Sequence, residues 1–507
     1  MIGNDKRIIK NASYLYLRMI LLLVITLYTS RIVLNGLGVT DFGIYNVVGG
    51  VVAMFGFING SIGTATSRFL TYELGKQSSP ERMRLVFSTA LLIHIGICLF
   101  VLLLFETIGL WYVYNVLVVP PERFIATLWV YQFSVVTALI AIISVPYNAA
   151  LIAHERMGAF AFISIFEAIA TLSVAFITAY TSYDKLIVYG FLLMLIQIIL
   201  RIIYGVYCAK HFEETTGKWM FDKEKFKEMS KFALWIMNGV IGLMGYTEGF
   251  NLLLNFFFGP AVNAARGIAV QVQSKVFQFC NNFQTAMNPQ ITKSYAAGDL
   301  SYMHKLICNS SKYSMLLMFL VSCPLIFEAD YILKLWLGVV PDYTVIFVQL
   351  TLVVGIVDSL RPSMNTAIHA TGDIKKFQLL EGFGSLAILP IAYIVLKLGM
   401  SPTSVFLVQL IMFVVIQSFR IFVVCPAIQL SKKRYCFQVI LEPLKVILPV
   451  GTILYLFKKA IVMDNPFLEF IYVGLISTIL TMILTYFGVL DKSMREKIIV
   501  TIKSKLK

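Results

Sequence analysis

About fourteen stretches of this chain are each apolar for long enough to cross a bilayer, which excludes nearly every soluble fold. A membrane-spanning helix needs about 20 mostly apolar residues, and segments 84–109, 159–180 and 467–489 meet that with almost no charge. Within hydrocarbon no water can complete the hydrogen bonds of an open backbone, so such segments are helical. The expected spans are 12–34, 42–70, 84–109, 124–150, 159–180, 185–209, 232–257, 261–292, 306–328, 343–368, 376–397, 403–425, 443–458 and 467–489. Charged residues make up 14% of the 507, against roughly 25% in a soluble domain. The expected fold class is an all-α integral membrane protein.

The net charge of +15 would suit nucleic acid, but its distribution does not. Basic residues crowd alternate loops: Lys6, Arg7 and Lys10; Arg68, Lys76, Arg82 and Arg84; the run from Lys210 to Lys231; Lys375 and Lys376; Lys432 to Arg434; and the tail from Lys492. The intervening loops are poor in them. The positive-inside rule then puts both termini in the cytoplasm, with an even number of spans. No cleavable signal precedes segment 12–34, which is expected to remain as a helix. The seven cysteines are scattered, with neither metal spacing nor a disulfide framework.

The second half repeats the first. Leu34-Asn35-Gly36-Leu37-Gly38 and Leu254-Asn255-Phe256-Phe257-Phe258-Gly259 each end a first span; Thr64-Ala65 falls on Thr285-Ala286. Pro146, Asn148, Ala150 and Ala153 correspond to Pro362, Asn365, Ala367 and Ala370, and all offsets lie between about 216 and 221. Because the repeat carries six spans, related spans start from the same face, as in a parallel repeat with a pseudo-twofold axis along the membrane normal. The chain therefore divides into a six-helix lobe (1–210), a cytoplasmic linker (211–231), a second six-helix lobe (232–430), and two additional helices with a basic tail (431–507). Such repeats place a site between the lobes and work by alternating access.

Ionisable side chains within a span cost several kcal/mol unless they meet water or a partner, so each marks a candidate site. Glu248, Asn251 and Asn255 stand at i, i+3 and i+7, one helix face, and the repeat maps them onto Tyr28, Arg31 and Asn35. Gln271, Ser274, Lys275, Gln278, Asn281, Asn282, Thr285 and Asn288 form a polar ribbon along another span. Asp358, Arg361 and Asn365 repeat the i, i+3, i+7 pattern, the first two placed to pair. The neutral amides could equally serve as interhelical hydrogen bonds.

Arg31, Lys275 and Arg266 lack comparable carboxylates. Cations in a wet cleft concentrate anions, and an arginine fork matches phosphate, so an anionic, phosphate-bearing substrate with a polar body is expected. Arg18 is placed to snorkel to headgroups. Glu248, Asp41 and Asp358 are the candidates for coupling to a proton or sodium ion; for Glu248 a plain salt bridge to Lys275 or Arg31 is the competing reading. No resident cofactor or metal is expected.

The stretch from Arg31 to Tyr45, with its Leu-Gly-x-x-x-Phe-Gly-x-Tyr pattern, resembles the opening of the Wzx-type polysaccharide (O-antigen repeat-unit) flippases of the multidrug, oligosaccharidyl-lipid and polysaccharide exporter superfamily. The resemblance implies a MATE-like pair of lobes in the bacterial inner membrane. It implies translocation of undecaprenyl-pyrophosphate-linked oligosaccharide for O-antigen, capsule or exopolysaccharide assembly, with membrane lipids and polysaccharide polymerase machinery as partners. It also implies that the final two helices shape a groove for the lipid tail. A cation-coupled multidrug antiporter of the same superfamily is the nearest alternative. A membrane polysaccharide polymerase or ligase fits less well, since no loop is large enough to carry catalytic groups.

Overall fold

The structure is a computed structural model in which residues 2–53, 56–115, 117, 119–461, 463, 465–490 and 495–496 are described. Every regular element among them is helical, and the chain forms two compact units. The first comprises Met1–Val240 with Thr292–Gly298, the second Ile241–Ile291 with Asp299–Lys507.

In the first unit, α1 (Ile2–Ala53) passes through Gly38, where φ is 80°. No L side chain adopts that conformation readily, so glycine sets the turn from first to second span. Beyond it come α2 (Gly56–Gly75) and α3 (Pro80–Leu104), the latter N-capped by Ser79 and opened by proline. A π-turn (Phe105–Gly109) carries α3 into α4 (Leu110–Asn115). Next are α5 (Phe124–Ala153), α6 (Met157–Tyr180) and α7 (Lys185–His211). Helix α1 packs along α6, and α5 along α2, α3 and α7.

Two helices change units partway. Helix α8 (Lys223–Phe258) begins within the expected linker, and its residues up to Val240 belong to the first unit. Helix α9 (Pro260–Ala296) belongs to the second unit up to Ile291 and to the first thereafter. Gly259 between them has φ of 80°, repeating Gly38 at an offset of 221.

The second unit continues with α10 (Leu300–Phe327), α11 (Ala329–Leu337), α12 (Thr344–Asp358), α13 (Arg361–Thr371), α14 (Lys375–Leu386), α15 (Ile388–Lys397) and α16 (Thr403–Ala427). Helices α17 (Lys432–Tyr435), α18 (Glu442–Ala460) and α19 (Pro466–Gly488) complete it, with α18 and α19 against α10. Corresponding starts keep the offset: 80 and 300, 157 and 375, 185 and 403.

Eleven helical spans among the described residues are long and apolar enough to cross a membrane. The remaining expected spans, 42–70, 232–257 and 261–292, are helical but not among them; the first is interrupted by residues outside the described set. The other two contain Glu248, Arg266, Lys275 and the amide ribbon, so the helices too polar for the apolar criterion are those carrying most of the candidate site. Large apolar side chains elsewhere point outward, among them Leu99, Phe100, Leu103, Ile199, Ile202 and Val206, as lipid-covered helices require.

Candidate functional site

In the first unit, Tyr28, Arg31 and Asn35 lie exposed on α1 within three turns of Gly38. Tyr28 tilts against Phe176 of α6, with ring centroids 6.2 Å apart. Arg31 has no hydrogen bond or ion pair among the described residues. Asp41, just beyond the glycine turn, is held by Arg123, whose Nε and Nη2 donate to its two carboxylate oxygens at 2.9 and 2.7 Å.

The same guanidinium grips Asp184 at 2.5 and 3.0 Å. Asp184 also caps α7, accepting from the amides of Leu186 and Ile187. The hydrogen bond from Arg123, foremost, and those helix amides hold its carboxyl below the usual range despite some burial. Asp41, expected as a coupling candidate, is thus one half of a clamp in which one arginine joins the start of the second span to the start of the sixth.

Deeper in this unit is a cavity of about 430 Å³ between α1, α6 and α7. That is large enough for a small ligand. Arg18 and Glu167 both line it, with Ser30, Asn46, Tyr45 and Tyr189. Arg18 and Glu167 do not form a direct ion pair. The Arg18 guanidinium lies over the Phe160 ring at 4.7 Å with its Nε unpartnered among the described residues, and Glu167 accepts from Gln197 Nε2 at 3.1 Å. Sequence reasoning assigned Arg18 to headgroups and passed over Glu167. The signal was available, since a carboxylate within an apolar run is the same mark that singled out Glu248.

In the second unit, Glu248 is exposed on α8 and accepts from Asn251 Nδ2 at 3.2 Å; no ion pair joins it to Lys275. Arg266 is buried, at 5% exposure. Its guanidinium donates to Asn251 Oδ1 and, at 3.1 Å, to the Thr247 carbonyl, and lies over the Phe250 ring. It therefore braces α8 against α9 and is not offered to a substrate. Asn255 is exposed at the edge of an apolar groove of about 730 Å³ with Phe256 and Tyr393.

The ribbon on α9 is a one-sided stripe. Gln271, Ser274, Lys275, Gln278 and Asn281 are exposed, whereas Asn282 turns inward and its Nδ2 has no partner among the described residues. Gln284, off the ribbon and fully buried, donates to Ser314 Oγ and the Ser359 carbonyl, both at 2.9 Å. The Ser359 carbonyl is free to accept because the helix breaks between α12 and α13.

Asp358 and Arg361 flank that break and pair as their spacing predicts, Nε and Nη2 donating at 2.7 and 2.8 Å. Asn365, one turn on, is half-buried with its Oδ1 unpartnered among the described residues. Sequence reasoning missed Glu381 and Arg420, a fork between α14 and α16 with one bond of 3.0 Å. It missed Lys312 too, which meets Glu442 at 2.9 Å and ties α10 to α18. Among the described residues no group of three metal-ligating side chains forms.

The helical fold finds counterparts among solved structures. An outward-facing multidrug resistance MATE family transporter of the MOP superfamily superposes with a TM-score of 0.74 at 12% identity, over 84% of this chain and 96% of that one. This chain has the MATE fold. A MATE point mutant gives a TM-score of 0.73 at 12% identity, over 84% and 97% of the two chains. An MOP superfamily transporter from Pyrococcus furiosus, described as having a binding pocket of reverse polarity, gives 0.69 at 12%, over 83% and 97%. No protein-family model and no curated protein sequence matches the chain. The MATE fold accounts for the multi-pass helical architecture, while the side chains on it differ from these neighbours at nearly nine positions in ten.

Proposed function

We propose that this protein is a flippase that moves a lipid-linked oligosaccharide with an anionic phosphate headgroup across the bacterial inner membrane by alternating access. The carrying observation is Lys275. It stands near the middle of α9, exposed, with no hydrogen bond or ion pair among the described residues, and Arg31 has the same standing on α1. Arg266, Lys312, Arg361 and Arg420 are by contrast all engaged. A bare ammonium in hydrocarbon costs several kcal/mol, so these two faces meet water or an anion. Gln271 and Gln278 flank Lys275 at i−4 and i+3, giving amides for hydroxyls beside a cation for phosphate. Undecaprenyl pyrophosphate carrying a sugar repeat unit combines those groups, and a polysaccharide polymerase would receive the product.

The test is reconstitution in liposomes with undecaprenyl-pyrophosphate-linked oligosaccharide, following accessibility of the sugar to an external lectin. Lys275→Ala and Arg31→Ala are expected to lower the translocation rate at least about tenfold with the folded protein retained. Wild-type rates from both would remove the reading. The second reading, a cation-coupled drug antiporter, draws on the exposed Glu248 and on the multidrug neighbour of the same fold. Drug efflux driven by an imposed proton or sodium gradient, abolished in Glu248→Gln, together with no lipid movement, would establish it instead.

A further inference from the structure

The first unit places a side chain where the second has none. Helix α5 ends in a Schellman turn: the Glu155 amide donates to Ile152 O at 3.0 Å and the Arg156 amide to Leu151 O at 2.9 Å. The residue between has to be left-handed, a conformation that L side chains adopt rarely and glycine readily. Glu155 takes it, with φ of 58°. At the corresponding end of α13, 217 residues on, the second unit uses Gly372 with φ of 86°.

The carboxylate at that strained position is fully buried and receives two cations. Lys293 Nζ donates to Oε1 at 2.6 Å, and Arg7 Nε lies 3.0 Å from Oε2. Arg7 also donates to the His154 carbonyl at 2.9 Å. Lys293 belongs to the last turns of α9, within the short stretch Thr292–Gly298 that lies in the first unit although the rest of that helix lies in the second. The end of α9 sits so close to α2 that a Cβ on Gly75 would stand 2.7 Å from Lys293 Cα. A buried carboxylate, held at a conformational cost, thus meets the one part of α9 that has crossed to this unit.

We propose that Glu155 is a latch: its ion pairs with Lys293 and Arg7 hold the end of α9 on the first unit in this conformation, and they part when the transporter changes state. The latch rests on the transport reading for its purpose, but its existence is tested without substrate. Spin labels at Lys210→Cys and Ala297→Cys, both exposed and in the first unit, in a background with the seven native cysteines replaced, report the docking of α9 by pulsed electron resonance in nanodiscs. Wild type is expected to give one dominant distance. In Glu155→Gln, Glu155→Gly and Lys293→Ala the population at a longer distance is expected to rise at least about tenfold. Glu155→Gly is the decisive variant, because it relieves the left-handed strain and copies Gly372, so its thermal midpoint is expected to hold while docking is lost. Unchanged distances in folded Glu155→Gly and Lys293→Ala would overturn the latch, whether or not the midpoint falls. A longer distance with no lipid movement by the wild type in the liposome assay would leave the latch standing and remove the flippase reading.

Discussion

In the second unit Glu381 and Arg420 join α14 to α16 by a charged fork, whereas α6 and α7 of the first unit, which correspond to those helices, have no ion pair between them among the described residues. Ser164 of α6 lines the 430 Å³ cavity instead. The second unit sets Asp358 and Arg361 near its fork. The ion pairs of the first unit lie instead at its helix ends, among them Arg123 with Asp41 and Asp184, Glu155 with Lys293 and Arg7, and Glu73 with Arg82. One backbone plan therefore supports two interiors, one braced by buried ions and one left partly hollow. A buried ion pair contributes little net stability when intact, yet its rupture is costly, so the braced unit is the more brittle to substitution and the hollow unit the freer to bind.

That contrast can be broken most sharply at the fork. Arg420→Ala strands Glu381 without its cation and is expected to lose about 3–5 kcal/mol of stability, read from unfolding in detergent. The double change Glu381→Leu with Arg420→Met, which removes both charges together, is expected to lose far less. An equal loss would mean that the stranded charge is not what makes the second unit brittle, and the contrast between the two interiors would fall.

The glycine turns are shared by both units, so they should respond alike. Gly38→Ala and Gly259→Ala are each expected to cost about 1–2 kcal/mol, the penalty of a left-handed or otherwise positive-φ alanine. A large difference between them would show that one turn is held by its surroundings and the other by its own backbone. Gln77 is left-handed at φ of 52° where the repeat has Gly298 at 78°. Unlike Glu155 it is exposed, so Gln77→Gly is expected to raise the melting point slightly, by no more than about 1 kcal/mol in stability.

The smallest expected effect is the pH response of the Arg123 clamp. Because the folded carboxyl of Asp184 titrates below its ordinary value, its contribution is fully present above about pH 4 and is lost as pH falls through the folded value. The difference in melting temperature between wild type and Asp184→Asn is therefore expected to be constant near pH 7 and to shrink below about pH 4. A difference independent of pH throughout would break the clamp.

Much of the fold could be read before any helix was placed. Apolar length marked the legs, and the Gly38 and Gly259 turns fell where the repeat put them, because both are properties of a short stretch of chain. The pairing of Asp358 with Arg361 was legible for the same reason, three residues being one helical turn. Arg266 was not. Its partner Asn251 is 15 residues away across the Gly259 turn, and that contact converts a cation expected to face substrate into a brace. The Glu381 and Arg420 fork spans 39 residues and the Lys293 and Glu155 pair 138, distances at which spacing carries no information. The α9 ribbon was half legible: its periodicity showed a polar face, but which amides stay open and which turn in, as Asn282 does, depends on neighbouring helices.

The amino-acid sequence by itself determined that this chain is a bundle of membrane-spanning helices built twice over, since bilayer-length apolar runs and positive-φ glycines act locally and need no partner. Only the tertiary structure decided which of its buried charges are already satisfied. Whether an arginine is spent on a carboxylate or left open depends on what another helix brings within about 3 Å of it, and that is fixed by packing between segments far apart in the chain.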